Sequence, residues 1–412
     1  MRRYLRMGSV LFIVPVLLLV LASPGRPAAM PDIKIGTVLP LTGAFGSAGL
    51  YFRQGYGMAV DDVNNAGGLQ VGSQKYHVNL IVLDDASNGT QSRSLVEKLV
   101  TDQHVNFLLG GYDTSLVEAQ EVVPDQYKIP YVEGGGAASD IFKRGYKYIF
   151  GTLAVVYDMG TTTANFLTYE INQGKLPKPF TEAVVYENTD HGKDYINALT
   201  DAAKAHPDLF KIVLSQPFQL NGSDFGPLLQ QVKAANAEAF LSDAHLPDFI
   251  TMQRQYLQLG MYNPFISYGA RGPDQPGRKA LGVGADYLVA ALWWTPALKD
   301  PGSQLFTARY QRQFNATPDW FQALGYDTAR VLFAGVHNAN SLDGTAVRDS
   351  LARLVFRGAL VPGGVIRFSP NGQISGSPYV VVQNTPGNTV RIVWPRNIPE
   401  TRDATLPMPR MP

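Results

Sequence analysis

The sequence predicts an α/β protein made of two Rossmann-like lobes, each built around a mostly parallel sheet. Three observations support this fold class. The chain has 412 residues, more than the roughly 250 to 300 residues at which a single core stops growing. Strand and helix patterns alternate from residue 33 to residue 152, and the alternation returns from residue 181 to residue 292. Such alternation is typical of parallel sheets covered by helices.

The first strand–helix unit spans residues 33–68. Apolar residues at positions 33, 35, 38 and 39 suit a strand that is buried on both faces. Those at 52, 56, 59 and 63 recur at the spacing of one helical face. We expect the Gly-rich stretch 41–49 between them to form the lip of a pocket.

Similar patterns predict the remaining elements of both lobes. In the first half they indicate strands at 78–83, 107–109, 130–132 and 147–152, and helices at 92–100 and 115–126. In the second half they indicate strands at 181–187, 211–215, 239–241, 264–267 and 287–292, and helices at 195–205, 225–235 and 247–259. Helices at 304–314, 321–339 and 345–354 then return to the first lobe, and turn residues within 363–394 indicate a hairpin.

We expect lobe 1 to comprise residues 31–152 plus 293–362, and lobe 2 to comprise residues 153–292 plus 363–394. The tail 395–412 contains five prolines and little apolar surface, which predicts disorder.

The N-terminal residues 1–29 have the layout of a secretory signal, with arginines at positions 2, 3 and 6, then an apolar run and then small residues. Cleavage after Ala22 or after Ala29 fits part of the small-residue rule. The alternative is an uncleaved membrane anchor, although the apolar run 10–22 is shorter than the roughly 20 residues of a spanning helix. The chain has no cysteine, so we expect it to depend on its cores rather than on disulfides and to lack a lipid anchor attached through an N-terminal cysteine.

Composition and motifs exclude several functional classes. The 35 basic and 34 acidic residues nearly cancel, which disfavours a nucleic-acid partner or an anionic membrane surface. Serine-hydrolase, Walker A, zinc-protease and dinucleotide-binding signatures do not occur. We therefore expect no catalytic residue, no metal site and no cofactor. A hydrolase or lyase that uses His191 with Asp190 is the alternative.

Six stretches of the chain resemble, in the same order, the periplasmic solute-binding proteins of branched-chain amino-acid ABC importers, the Leu/Ile/Val-binding family. They are 33–68, the acidic pair 84–85, LLGGYDTS at 108–115, KIPYVEGGGAAS at 128–139, YENTDHGKD at 186–194 and LGYDTARVLFAGV at 324–336. The resemblance implies a type I periplasmic-binding-protein fold, in which several chain crossings form a hinge between the lobes. It also implies a periplasmic monomer that binds a small molecule and delivers it to the permease subunits of an ABC transporter.

Loops that follow parallel strands are the expected ligand-binding positions. Thr114 and Ser115 begin a predicted helix, where hydroxyl and free N–H groups can hold a carboxylate; the alternative is that one of them only caps the helix. The small residues of 134–138 permit close backbone approach. The resemblance assigns the ligand's carboxylate to Thr114, Ser115, Gly136, Ala137 and Ala138.

Departures from the family pattern indicate a different ligand. The acidic residue that amino-acid binders use for the ammonium group is replaced by Gly269 or Ala270, with Arg271 beside it. His191 stands where the family has tyrosine, and Phe45 lies in the predicted lip. The expected wall is completed by four more residues: Tyr112, His245, Tyr268 and Trp293. Core packing is the alternative for Trp293.

These residues predict a small organic acid, preferably an aromatic carboxylate, held in part by Arg271. One alternative is an amino acid or amide whose ammonium group pairs with Asp274 or Asp243. The other alternative is a sensory protein of the same fold that presents its ligand-bound form to a membrane receptor.

Overall fold

The computed structural model describes residues 30–376 and 379–410. The predicted signal 1–29 lies outside the described residues. Within the described residues, no helix combines the length and apolarity that crossing a membrane requires.

The first part of the chain forms a six-stranded sheet with helices on its faces. Its elements in order are β1 (Asp32–Leu39), α1 (Gly46–Asn65), β2 (Leu69–Val71), β3 (Gln74–Asp84), α2 (Gly89–Thr101), β4 (Phe107–Leu109), α3 (Thr114–Gln120), α4 (Val122–Tyr127), β5 (Tyr131–Glu133) and β6 (Ile149–Gly151). The strand order is β2-β3-β1-β4-β5-β6, and every pairing is parallel except that of β2 with β3.

The chain then builds a second sheet and its helices. These elements are α5 (Val156–Asn172), β7 (Phe180–Glu187), α6 (Asp190–Ala205), β8 (Phe210–Phe218), α7 (Gly226–Ala235), β9 (Ala239–Asp243), α8 (Leu246–Gln258), β10 (Phe265–Ser267), α9 (Gln275–Leu281) and β11 (Val289–Leu292). Short 3₁₀ turns occur at Ser139–Phe142 and Gly282–Ala285.

The chain returns to the first sheet before it ends on the second. The remaining elements are α10 (Pro301–Phe314), α11 (Trp320–Ala339), α12 (Gly344–Ala352), β12 (Val355–Arg357), β13 (Val365–Arg367), β14 (Val380–Thr385) and β15 (Thr389–Trp394). The second sheet has the order β15-β14-β11-β10-β9-β7-β8, with β14 and β15 antiparallel. The hairpin β14–β15, whose turn lies at residues 385–389, falls within the segment 363–394 where turn residues predicted a hairpin.

We call the six-stranded sheet with α1–α4 and α10–α12 lobe 1, and the seven-stranded sheet with α5–α9 lobe 2. The chain crosses between them after β6, after β11 and before β14. This arrangement confirms the predicted α/β class with two mostly parallel sheets. In lobe 1, the absence of a side chain at Gly55 allows α1 to pack closely on α11. A Cβ atom at this position would lie only 2.4 Å from the Gln322 carbonyl oxygen.

One segment that we expected in lobe 2 lies in lobe 1. β13 pairs with β12, and the Gly151 N–H donates to the Gly372 oxygen at 2.9 Å. Ile374 is buried in the same region. Residues 363–376 therefore lie with the first sheet. The prediction was wrong because it assigned the turn residues within 363–394 to one hairpin, whereas they belong to separate hairpins in the two lobes.

The prediction of a disordered tail also differs from the structure. Residues 395–410 pack on lobe 2, where Met408 is 1% exposed and its N–H donates to the Pro264 oxygen at 2.8 Å. The Thr405 N–H donates to Gln383 at 2.8 Å. Proline restricts regular hydrogen bonding, but it does not prevent a segment from adding side chains to a core.

Candidate ligand-binding site

A cavity of about 270 Å³ lies between the two lobes. Its walls come from loops at the carboxyl ends of β4, β9 and β10 and from the N-terminal ends of α1, α8 and α11. This position fits the general rule that open α/β sheets bind ligands beyond the carboxyl ends of their strands. The lining residues are Ala44, Phe45, Ser47, Ala48, Tyr51, Tyr112 and Phe321 from lobe 1, and His245, Leu246, Pro247, Ile250, Arg271, Asp274 and Pro276 from lobe 2.

Aromatic rings form much of the lobe 1 wall. Tyr112 packs edge-on against Phe321 and Phe45, with ring centroids 5.6 and 6.1 Å apart. Phe45 also lies 5.0 Å from the imidazole ring of His245 in lobe 2. These flat, apolar faces suit a ligand that contains a ring.

Arg271 places a positive charge in the cavity wall. It is only 4% exposed, and its guanidinium donates to the Tyr112 hydroxyl at 2.6 Å. The group also lies 3.4 Å from an Asp274 carboxylate oxygen and 4.9 Å from the ring centroid of Trp320. Arginine retains its positive charge even when it is buried, because its pKa lies far above neutral pH.

Asp274 is the acidic residue of the cavity lining. Its second carboxylate oxygen accepts the Trp320 indole N–H at 3.1 Å, which joins lobe 2 to lobe 1. Burial, reinforced by the nearby Asp319, raises the pKa of Asp274 to about 7, although Arg271 opposes this shift. The carboxyl group is thus a weak partner for a ligand's ammonium group.

A buried network of imidazoles and carboxylates lies beside the cavity. His245 places Nδ1 2.6 Å from a Glu187 oxygen and Nε2 3.3 Å from an Asp113 oxygen of lobe 1. His191 Nδ1 lies 2.7 Å from an Asp243 oxygen. Burial alone would lower the pKa of His245, but the Glu187 and Asp113 carboxylates outweigh it and hold the pKa well above its usual value. For His191, Asp243 and Glu187 likewise outweigh burial and raise the pKa.

The loops expected to hold a ligand's carboxylate make their hydrogen bonds within lobe 1. The N–H groups of Gly135 and Gly136 donate to one Glu133 oxygen at 2.9 and 2.7 Å. The Ala137 N–H donates to the Thr114 hydroxyl at 3.0 Å.

Helix α3 is capped by Asp113, not by Thr114 or Ser115. The Ser115 hydroxyl donates to Asp113 at 2.7 Å, and Asp113 accepts the Leu116 N–H as the cap of α3. Thr114, Ser115, Gly136, Ala137 and Ala138 are absent from the cavity lining.

Of the other predicted site residues, Phe45, Tyr112, His245 and Arg271 meet at the cavity. The His191 ring lies behind His245, with centroids 5.8 Å apart.

Two predicted wall residues lie in the core instead. The Tyr268 hydroxyl donates to Gln253 at 2.9 Å, and its ring packs 4.7 Å from that of Phe249. The Trp293 indole donates to the Ala154 oxygen at 2.8 Å, and its ring packs on Trp320. Both aromatic residues follow strands, but their side chains point into the packed core. Core packing was the alternative given for Trp293, and the structure agrees with it.

Sequence reasoning missed several residues at or beside the cavity. Tyr51, Leu246, Ile250 and Phe321 line it, while Asp113 and Glu187 belong to the adjoining network. Asp113 and Glu187 each follow or end a strand within a quoted motif, which was an available signal. Phe321 lies in the first turn of α11; the return of this helix to lobe 1 was predicted, but the sequence did not indicate that its first turn lines the cavity.

Comparison with known proteins identifies the class of protein that this fold and cavity define. A family model described as "Periplasmic binding protein" matches residues 32–388, and the chain belongs to this family. The chain is 26% identical over 392 residues to the Leu/Ile/Val-binding protein homolog 8 of Brucella suis, covering 92% of this chain and 94% of that protein.

Two solved structures show the same fold. A leucine-binding protein of Thermotoga maritima has a TM-score of 0.75 at 21% identity, with 87% of this chain and 97% of that chain covered. A solute-binding protein of an ABC transporter from R. palustris, solved in complex with benzoate, has a TM-score of 0.74 at 17% identity, with 88% and 95% covered. The resemblance noted from the sequence motifs is thereby confirmed.

Proposed function

We propose that the chain is the extracytoplasmic solute-binding component of an ABC importer and that it carries a small aromatic carboxylate in the interlobe cavity. A cleavable signal at 1–29 would deliver it to the periplasm, and permease subunits would receive the ligand. The observation that carries the proposal is the combination, in one cavity, of aromatic walls with the Arg271 guanidinium.

The charges of the cavity favour an anion. Arg271 and the protonated His245 face it, and a guanidinium matches the geometry of a carboxylate. Asp274 is already in contact with Arg271 and Trp320. An α-amino acid would bring an ammonium group close to Arg271 without an acidic partner of its own, so its binding is disfavoured.

The size and shape of the cavity favour a compact ring. Its volume lies near the lower limit of ordinary ligand pockets, roughly 300 Å³. Phe45, Tyr112 and Phe321 offer faces and edges on which a ring can pack. A protein of the same fold was solved with benzoate, so the architecture accommodates this class of ligand.

Closure of the lobes is the proposed mechanism. Besides the Arg271–Tyr112 bond, the Ser139 N–H donates to Asp194 at 2.6 Å across the cleft. A ligand that contacts both walls stabilises the closed arrangement relative to the open one and shifts the hinge equilibrium. The closed form is then the species presented to the transporter.

A thermal-shift screen of residues 30–412 tests the ligand class. The matched set is benzoate, its neutral isostere benzamide, the non-aromatic acid cyclohexanecarboxylate, and leucine. A ligand at about 100 times its dissociation constant stabilises the folded state by roughly 2.7 kcal/mol. We expect stabilisation by benzoate and little or none by benzamide or leucine. Stabilisation by leucine with no response to benzoate would contradict the proposal.

A further inference from the structure

Three side chains of lobe 2 form a compact group of metal-ligand type behind the cavity. Glu187 ends β7, Asp243 ends β9, and His191 lies in the first turn of α6. One donor atom from each lies within 4.8 Å of the others, and all three residues are buried. The sequence predicted no metal site because it contains no metal-ligand signature; folding brings these donors together, His191 and Asp243 from positions 52 residues apart.

The distances among the donors are close to those around a small cation. His191 Nδ1 lies 2.7 Å from an Asp243 oxygen and 3.5 Å from Glu187 Oε1. His245 is a supporting residue, since its Nδ1 lies within hydrogen-bond distance, 2.6 Å, of the other Glu187 oxygen. Imidazole and carboxylate groups are both zinc ligands, and three protein ligands suffice where a water completes the coordination.

Supporting contacts orient the group. The Thr189 hydroxyl donates to Glu187 Oε1 at 2.7 Å. His245 Nε2 faces Asp113 of lobe 1 at 3.3 Å. Hydrogen bonds of this kind, from outside the donor set to its members, are typical of metal sites.

The charges of the region leave room for a cation. The three carboxylates of Asp113, Glu187 and Asp243 are each 2% exposed or less. Each carboxylate contacts an imidazole, but two charged imidazoles against three carboxylates would still leave a net charge of −1, which is costly in a buried setting. Arg271 has a favourable electrostatic interaction with Asp243, but the carboxylate that it contacts is that of Asp274.

We infer that Glu187, His191 and Asp243, with His245 beside them, bind one divalent transition-metal ion of the zinc type. Imidazole donors favour zinc, cobalt or nickel over calcium or magnesium, which prefer oxygen ligands. The three donors all belong to lobe 2, so the ion binds whether the lobes are open or closed. The site does not depend on the proposed aromatic ligand.

Calorimetric titration of chelator-treated residues 30–412 with zinc chloride alone tests this site. We expect one equivalent to bind, and Asp243→Asn and His191→Gln each to weaken binding at least about tenfold. The matched control is His77→Gln, which removes an imidazole that lies 3.3 Å from Asp32 at an exposed surface. This control variant should retain full binding.

Cobalt absorption supplies a second measurement that needs no variant. Cobalt(II) bound by the wild-type chain should show a visible spectrum of imidazole–carboxylate coordination, and one equivalent of zinc should abolish it. The inference is overturned if no equivalent of zinc binds, or if His77→Gln rather than Asp243→Asn removes the binding. The thermal-shift measurement with benzoate is repeated on the chelator-treated protein. Because it reports ligand binding and not metal binding, it tests the proposed function independently of this inference.

Discussion

The guanidinium of Arg271 in lobe 2 donates a 2.6 Å hydrogen bond to the Tyr112 hydroxyl of lobe 1. Both residues line the interlobe cavity, and both are buried. The arginine that would attract a ligand's carboxylate therefore also contributes to closure of the protein. A ligand bound to Arg271 would modify a contact that already joins the lobes.

Removing the hydroxyl with Tyr112→Phe should open the ligand-free protein. A hydrogen bond to a charged group contributes about 1.5 to 3 kcal/mol, so the open-to-closed ratio should rise roughly tenfold or more. The chain has no cysteine, so dyes can be placed by Val283→Cys in lobe 2 and Leu305→Cys in lobe 1, both 60% exposed. Energy transfer between the dyes should fall in the variant.

The control for this measurement is Tyr127→Phe, which removes the hydroxyl of a tyrosine that is 40% exposed in lobe 1. Its energy transfer should equal that of the parent. If Tyr112→Phe gives the same transfer as this control, the Arg271–Tyr112 bond does not contribute to closure.

Replacing Arg271 should affect anionic ligands selectively. Arg271→Met retains much of the apolar bulk but removes the charge, so the affinity for benzoate should fall about tenfold or more, as expected for a lost charge-assisted hydrogen bond. Arg271→Lys should lose less, because a cation remains without the planar fork of donors. Calorimetry with benzoate measures both effects.

Benzamide is the internal control for the Arg271 variants, because it has the same shape as benzoate without the charge. Its weak binding should fall less than that of benzoate between the parent and Arg271→Met, because only the loss of the Arg271–Tyr112 contact affects it. Equal losses for benzoate and benzamide would show that the variant acts through closure or cavity shape and that charge recognition by Arg271 is not the cause.

The sequence predicted the fold better than the site. Alternating patterns identified both parallel sheets, since buried strands and helical faces leave a local signature. The expectation that loops after strands line the binding cleft included Tyr112, His245 and Arg271, and the structure places all three at one cavity. Tyr268 and Trp293 also follow strands, yet they point into the core, because side-chain direction depends on neighbouring layers. The Glu187–His191–Asp243 group was missed because tertiary folding brings these residues together.

The buried methionine of the tail should stabilise lobe 2. Met408 is 1% exposed, and its sulfur lies 3.2 Å from the Ile266 backbone nitrogen. Replacing a buried methionine by alanine costs about 2 to 5 kcal/mol, because contacts are lost and a cavity remains. Guanidinium unfolding of Met408→Ala, followed by tryptophan fluorescence, measures the loss. Val283→Ala, at a residue that is 60% exposed, should change the free energy of unfolding by less than about 0.5 kcal/mol. Equal stability of the two variants would mean that burial of the Met408 side chain does not stabilise lobe 2.

Glu182 should make stability depend on pH. This β7 residue is 1% exposed, and burial raises the pKa of its carboxyl to about 8. The folded chain therefore keeps a proton that the unfolded chain releases above its ordinary pKa of about 4.3. Because the folded state binds more protons in this range, the free energy of unfolding falls as the pH rises towards 8, and the loss stays constant above it.

Glu182→Gln keeps the shape of the side chain and removes the titration. The variant's stability relative to the parent should rise between about pH 4.3 and pH 8 and level off above, by an amount on the order of a few kcal/mol. Guanidinium unfolding at pH 5, 7 and 9 measures this difference. Glu97→Gln, at an exposed position of α2, should show a difference that does not change with pH. The prediction is wrong if the difference in unfolding free energy between Glu182→Gln and the parent is as independent of pH as that of Glu97→Gln. The buried carboxyl would then ionise in the folded protein as easily as in the unfolded chain.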